Sequence, residues 1–422
     1  MILFRCDYAE GAHPEILKRL TETNFEQLDG YGNDPYTRSA KRKILQACNC
    51  PEGEVHLLVG GTQTNATVIA AMLADYEGAV SVQTAHINVH EAGAVEYTGH
   101  KVLTLPQHHG KMDAGELEAF LAASAGDPNK DHMVWPGLVY ISLSTEYGTI
   151  YTRAELAELQ AIAHKYDLPL FIDGARLGYA LASPACDFTL ADMKDLCDVF
   201  YIGGTKVGAL CGEAVVFTKK APKHFFTTIK QHGALLAKGR LLGVQFDTLF
   251  TEDLYGRIAA NAIDRAQEMI AVLKEKGIPF FLETPTNQQF VILENNYMEA
   301  LSAKVGFDIW EPYDADHTVV RFATSWATTP EKIQQLRDLL CPCHSGLDPE
   351  SQKKFANSEK IPIFAIPNDG AVAQMVEQWT ENPCVGSSIL PSTTEHAENQ
   401  QVTQLTHNFT HKKPKVVRNF FI

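Results

Sequence analysis

The feature that most narrows the fold of this chain is a repeated alternation of short, unbroken apolar runs with longer amphipathic stretches. The runs are "EVHLLVGG" (54–61), "AVSVQ" (79–83), "KVLTLP" (101–106), "GLVYISL" (137–143), "PLFID" (169–173), "DVFYIGG" (198–204) and "EAVVFT" (213–218). Between several of them lie helical patterns such as "TQTNATVIAAMLADY", "MDAGELEAFLAASAG" and "TRAELAELQAIAHKYD". Thr152 with Glu155 three residues later has the spacing of a capping box, which marks a helix start. A strand buried on both faces reads as a continuous apolar run, and strand–helix alternation feeds such strands into one parallel sheet. The expectation is an α/β large domain over residues 1–245, with a mostly parallel central sheet covered by helices.

After residue 235 the pattern changes. "LLGVQFDTLF" and "LYGRIAANAIDRAQEMIAVLKEKG" read as long helices, followed by "QQFVILE" (288–294), "FDIWEPY" (307–313), "HTVVRFAT" (317–324) and a last helix, "TPEKIQQLRDLL" (329–340). This is the signature of a smaller α+β domain over 246–340. Residues 341–422 show neither period and carry scattered prolines with many Gln, Asn, Ser and Thr. Such a segment buries too little apolar surface to offset its ordering entropy. Its "AVAQMVEQWTENPCVGSSILPSTT" resembles the conceptual translation of a transfer-RNA gene, as a frameshifted reading frame running into neighbouring DNA would give.

The 422 residues carry a formal charge of −15, so nucleic acid is not expected as a partner, because phosphate binding needs a basic face. The opening "MILFRCDYAEGAHPE" has acidic residues and a proline where a secretory signal needs a basic start and an apolar core. No apolar run approaches the roughly 18 residues of a membrane span. Nine cysteines at irregular spacing suit a reducing cytoplasm. Cys48-Asn49-Cys50 and Cys341-Pro342-Cys343-His344 each lack the second pair that a structural zinc site needs, so no metal is expected.

The chemistry centres on "GGTKVGALCG" (203–212), where Lys206 stands among small residues with no other charge until Glu213. "PLFIDGARLGYAL" places Asp173 and Arg176 at the C-terminal end of a buried strand, where open α/β sheets bind ligands. A second strand ends just before Lys206, so two strand ends present a carboxylate and an amine to one crevice. "GGTQTN" (60–65), between a strand and a helix start, offers backbone N–H groups and a helix dipole to an anion. His86 and Glu91 follow in "TAHINVHEAGA". A phosphate cradle, a histidine able to stack, an acidic residue and an isolated lysine are what pyridoxal 5'-phosphate demands.

"FRCDYAE", "GYGNDP", "GGTQTN", "TAHINVHEAGA", "FIDGARLGYA" and "GGTKVGALCGEAVV", in this order, resemble the threonine aldolase branch of the β-eliminating lyase family over residues 1 to about 340. The resemblance implies a fold type I PLP-dependent transferase-like architecture and a homo-oligomer, a dimer of dimers. It implies retro-aldol cleavage of a β-hydroxy-α-amino acid such as threonine to glycine and an aldehyde. By position, Lys206 is the Schiff-base lysine, Asp173 pairs with the pyridine nitrogen and His86 stacks on the ring. Gly61, Thr62 and Gln63 hold the phosphate, and Arg176 contacts the ring-oxygen side and the substrate carboxylate region. Arg321 in "HTVVRFAT" grips the substrate carboxylate through a planar fork that lysine lacks; its alternative is an ion pair with Asp314 or Asp316.

The chain departs from the family at several places. Cys6 stands where a serine is usual. The run after "ISL" reads "STEYGT", so a histidine that handles the substrate hydroxyl is missing, and Glu146 or Tyr147 occupies its neighbourhood. Lys238 or Arg240 takes the place of an arginine that reaches a neighbouring subunit's phosphate. Cys6, Tyr31, Glu91 and Tyr147 therefore join Arg176 and Arg321 as candidate substrate contacts, and the hydroxyl's base is His86, Glu91 or an ordered water. Rival readings are an aminotransferase or another lyase on the same scaffold, and a non-catalytic protein that binds the cofactor. A nicotinamide enzyme is disfavoured by the lack of a G-x-G-x-x-G after an early strand.

Overall fold

In the computed structural model, the structure describes residues 1–340. The region 341–422, including Cys341, Cys343 and the proposed read-through segment, lies outside the described residues. In chain order the strands are β1 (Ile2–Leu3), β2 (Glu54–Leu58), β3 (Glu77–Val82), β4 (Lys101–Leu105), β5 (Trp135–Ser142), β6 (Leu170–Asp173), β7 (Val199–Gly203), β8 (Glu213–Phe217), β9 (Phe280–Leu282), β10 (Gln288–Glu294), β11 (Val305–Gly306), β12 (Asp308–Pro312) and β13 (His317–Ala323).

Each of the seven apolar runs becomes a strand of one sheet, in the order β2-β8-β7-β6-β5-β3-β4. The sheet is parallel except at β8, which runs antiparallel to both β2 and β7. Every residue of β6, β7 and β8 is buried, which is why these strands carry no polar alternation. Two of the helices between the strands, Ala114–Gly126 and Arg153–Lys165, start on side-chain caps from Asp113 and Thr152. Thr152 and Glu155 form the expected box, with Glu155 N–H to Thr152 Oγ1 at 3.2 Å and Thr152 N–H to Glu155 Oε2 at 2.7 Å.

The later part forms the antiparallel sheet β12-β13-β10-β9. Helix Leu254–Glu275 joins the two cores: Leu254, Ala259, Ala262 and Ile263 face the main sheet's core, while Met269, Val272 and Leu273 pack with Val291, Val320 and Phe322. Each large aliphatic side chain buried in this way contributes about 1.5–3 kcal/mol.

Two features cross the boundary expected at 245/246. That boundary falls inside helix Arg240–Leu249, and β1, from the N-terminal segment, pairs in parallel with β11 of the later part. Among the described residues no helix is long and apolar enough to cross a membrane.

Candidate functional site

The site forms where β6 and β7 end side by side. Their register pairs Phe171 with Val199 and Ile172 with Phe200, which places Asp173 and the loop carrying Lys206 on neighbouring strand ends. The approach is close enough to require glycine. A Cβ on Gly174 would overlap the Tyr201 carbonyl oxygen, and one on Gly203 would overlap the Ala175 backbone.

Asp173 is buried and held by four donors. Oδ2 accepts from Tyr140 Oη at 2.5 Å and Asn65 Nδ2 at 2.9 Å; Oδ1 accepts from Tyr201 Oη at 2.5 Å and the Ala175 N–H at 3.0 Å. Burial opposes its charge, but His86, the two phenols and the Ala175 amide outweigh burial and hold the carboxyl below its ordinary range. Asn65 Nδ2 also donates to Glu91 Oε1 at 2.7 Å, and the same oxygen meets His86 Nδ1 at 2.7 Å. One line of contacts therefore runs Asp173–Asn65–Glu91–His86, with the Glu91 side chain fully buried and the His86 ring partly open.

Lys206 is half-buried, and its Nζ has no hydrogen bond or ion pair among the described residues; the Tyr8 ring centroid lies 5.9 Å away. Burial, then Arg176, push its amine below the ordinary lysine range, against the pull of Asp7, Asp173 and Glu213. Its carbonyl accepts from Tyr179 Oη at 2.5 Å, which fixes the loop from behind.

Arg176 meets Asp7 through Nε to Oδ2 at 2.7 Å and Nη2 to Oδ1 at 3.0 Å. Asp7 is buried and also accepts from Asn287 Nδ2 at 2.9 Å; burial alone would raise its pKa, but Arg176 and Lys206 hold it at about 2. Arg321, on β13, lies opposite Asp308 of β12 and Phe290 of β10. Its Nη2 donates to Asp308 Oδ2 at 2.7 Å and its Nη1 to Gln288 Oε1 at 3.0 Å, while Nε is buried without a partner. The ion-pair partner is thus Asp308, not the Asp314 or Asp316 considered from sequence, because strand register brings Asp308 alongside and Asp314 turns to His317 at 2.9 Å.

Helix Gly61–Met72 begins without a side-chain cap at Gly60, and its first N–H to close on the helix is that of Thr64. The amides of Gly61, Thr62 and Gln63 are left facing outward. A Cβ on Gly61 would sit 3.3 Å from Tyr201 Oη, so this helix start adjoins the Asp173 network. The Gln63 side chain donates from Nε2 to His232 O at 3.0 Å.

The remaining expected residues divide. Tyr147 is buried against Phe290 and Trp310, with ring centroids 5.9 and 5.4 Å away, and Glu146 Oε1 accepts from the His86 N–H at 3.0 Å and Ser142 Oγ at 2.6 Å. Burial raises the Glu146 carboxyl. Cys6 is half-buried beside Asp7. Tyr31 and Lys238 are exposed; the Tyr31 N–H binds Ala237 O at 3.0 Å, and the ring stacks under Lys230 at 4.8 Å. Arg240 spends both Nη atoms on Glu26 O and Asn24 O, each at 2.7 Å. Among the described residues Tyr31, Lys238 and Arg240 make no hydrogen bond or ion pair with Lys206, Asp173, Arg176 or His86. Cys48 and Cys50 are buried thiols, and among the described residues no cluster of ligands suits a metal ion.

Sequence reasoning passed over Asp7, Asn65, Tyr140 and Tyr201 as site residues. The signal for the tyrosines was present: "LVYIS" and "VFYIGG" each set one phenol in an otherwise apolar strand flanking "FID".

A family profile described as Beta-eliminating lyase matches residues 4–296. A low specificity L-threonine aldolase of Pseudomonas aeruginosa is 29% identical over 343 residues, 80% of this chain and 96% of that protein. A solved threonine aldolase structure from Leishmania major is 40% identical with a TM-score of 0.78, covering 81% of this chain and 98% of that one. Histidinol-phosphate aminotransferase from Clostridium acetobutylicum, 13% identical with a TM-score of 0.61 over 81% of this chain and 98% of its own, shares the fold. The fold is that of the fold type I pyridoxal phosphate enzymes, and the chain belongs to the beta-eliminating lyase family.

Proposed function

We propose that the chain is a threonine aldolase, a pyridoxal phosphate-dependent lyase that cleaves a β-hydroxy-α-amino acid into glycine and an aldehyde. The observation that carries this reading is the convergence of an unpaired amine at Lys206, a charged and fully bonded carboxylate at Asp173, and uncapped amides at Gly61–Gln63. The aldolase relatives from Pseudomonas aeruginosa and Leishmania major support it.

The residues fit the cofactor. Lys206, with its amine destabilised as a cation, offers a nucleophile. Asp173 stays ionised to hold a protonated ring nitrogen, taking that N–H in place of one of its present donors. The helix start at Gly61 offers amides and a dipole to a phosphate, and His86, oriented by Glu91, belongs to the same line of contacts as Asp173. When bound, the cofactor supplies an electron sink for the pair released at Cα.

The chain's own groups do the rest. Arg321 holds the substrate carboxylate, whose oxygens compete with Asp308 for the guanidinium fork. Arg176, fixed by Asp7, places positive charge on the same side and keeps Lys206 readily neutral. With the carboxylate anchored, the Cα–Cβ bond is the one turned toward cleavage. Association as a dimer of dimers in the cytoplasm belongs to the same reading, with Tyr31 and Lys238 exposed where a neighbouring subunit can use them.

The test runs the reaction backwards. Glycine and acetaldehyde, with added pyridoxal phosphate and no keto acid, are expected to condense to threonine. An aminotransferase would instead need a keto acid, and turnover only in its presence would refute the aldolase.

A further inference from the structure

We infer that His90 is the base that takes the proton from the substrate's β-hydroxyl; this rests on the retro-aldol reading above. Such a base must lie beside Lys206 and Arg321, carry an uncommitted lone pair and be free to turn toward the substrate. The groups considered from sequence fail one of these conditions. Glu91 is fully buried, with Oε1 shared between His86 Nδ1 and Asn65 Nδ2, so it stands behind His86. Glu146 gives Oε1 to the His86 N–H and Ser142, and burial favours its protonated form. Tyr147 is wedged between Phe290 and Trp310, and burial pushes its phenol up to about 12. His86 is tethered through Nδ1, which suits a fixed stacking ring.

His90 meets all three conditions. It follows His86 by one helical turn, its N–H bonding His86 O at 2.9 Å, and the two rings lie 5.6 Å apart at 51°. The residue is exposed, and neither ring nitrogen has a partner among the described residues. Its ring lies 5.6 Å from that of His86, and the charged groups that act on it are His86, Arg321, Asp308 and Lys206, so it stands within electrostatic reach of both the carboxylate anchor and the reactive amine. Burial, then the positive charges, lower its pKa against the opposing effect of Asp308, leaving a neutral imidazole at neutral pH.

In the step, the hydroxyl proton passes to a ring nitrogen of His90, and the O–H electron pair becomes the aldehyde's C=O bond as Cα–Cβ breaks. The pair from Cα–Cβ stays at the glycyl Cα, which then takes a proton from water, and His90 returns its own proton to water.

The experiment compares the full chain, loaded with cofactor, with His90→Asn and His90→Gln in two reactions. One is acetaldehyde release from L-threonine. The other is exchange of glycine's α-proton in deuterated water, which uses Lys206 and the cofactor but has no β-hydroxyl. The expected result is a fall of at least about a hundredfold in cleavage, the scale of losing a general base. Glycine exchange should stay within about twofold of the parent. The acidic limb of the parent's kcat/KM profile should vanish in both variants, and the parent's His90 ring resonance should titrate below the ordinary histidine range. The inference is overturned if cleavage changes by less than about twofold, or if both reactions fall by the same factor. A parent that exchanges glycine yet does not cleave threonine would overturn the aldolase reading itself, a result separate from any effect of the variants.

Discussion

Arg176 and Asp7, 169 residues apart in sequence, face each other through two parallel hydrogen bonds of 2.7 and 3.0 Å, with the Asp7 side chain fully buried. This pair ties the N-terminal segment to the crevice and fixes a cation whose charge acts on Lys206. Asp7→Asn leaves a buried guanidinium without its counter-charge, and about 3 kcal/mol of stability should be lost. Denaturant unfolding of parent and variant checks this; a change below about 1 kcal/mol would show that the pair is not holding the segment. Because Asp7 sits at about 2 in the folded chain, its stabilisation is complete above the ordinary carboxylate pKa. It is lost as pH falls through that range toward 2, so the variant's deficit should shrink in acid.

Asp173 must stay ionised while buried, and His86, Tyr140, Tyr201 and the Ala175 amide keep it so. Asp173→Asn should lower turnover on the order of a hundredfold or more, as removal of a preorganised charge does. Tyr201→Phe removes one donor of four and should cost far less. Parallel kinetics of the two variants decide it, and equal losses would contradict the assignment.

Arg321 is expected to govern substrate binding and not cofactor retention. Arg321→Ala should keep the cofactor's absorbance but lose the spectral change on adding substrate. Arg321→Lys should not restore it, since a point charge lacks the planar fork. Full rescue by lysine would point to simple charge attraction.

Glu213 gives a pH signature in the cofactor-free chain. Burial raises its carboxyl to about 8, although Thr205, Lys206 and the Gly204 N–H at 3.1 Å pull it down. Between its ordinary pKa and about 8 the folded chain keeps a proton that the unfolded chain has lost, so stability falls as pH rises. Glu213→Gln lacks this titration. Its melting temperature relative to the parent should therefore climb from pH 5 to pH 8; a constant difference would contradict the raised pKa.

The main sheet was legible because strands buried on both faces must be continuously apolar, and all seven such runs became its strands. β1, β9 and β11 were not, since runs of two or three residues carry no period. Lys206 stood out as an isolated charge among small residues and Asp173 as a carboxylate ending a buried strand, whereas His86 and Arg321 took their roles from the resemblance. Asp7 did not stand out, because only the fold brings it to Arg176. Asp308 was missed for a related reason: proximity in sequence suggested Asp314 and Asp316, whereas cross-strand register decided the partner. Tyr31 and Lys238 were grouped with the site by resemblance, but the 30–32 segment folds against 237–239 at the surface of the chain.

The most direct measurement is the cleavage of L-threonine by the purified chain with added pyridoxal phosphate and no keto acid, run beside Lys206→Ala. Acetaldehyde and glycine in equal amounts are expected from the parent, and neither product from the variant. Products from the Lys206→Ala chain at the parent's rate, or a parent that binds the cofactor yet releases no acetaldehyde, would contradict the aldolase reading.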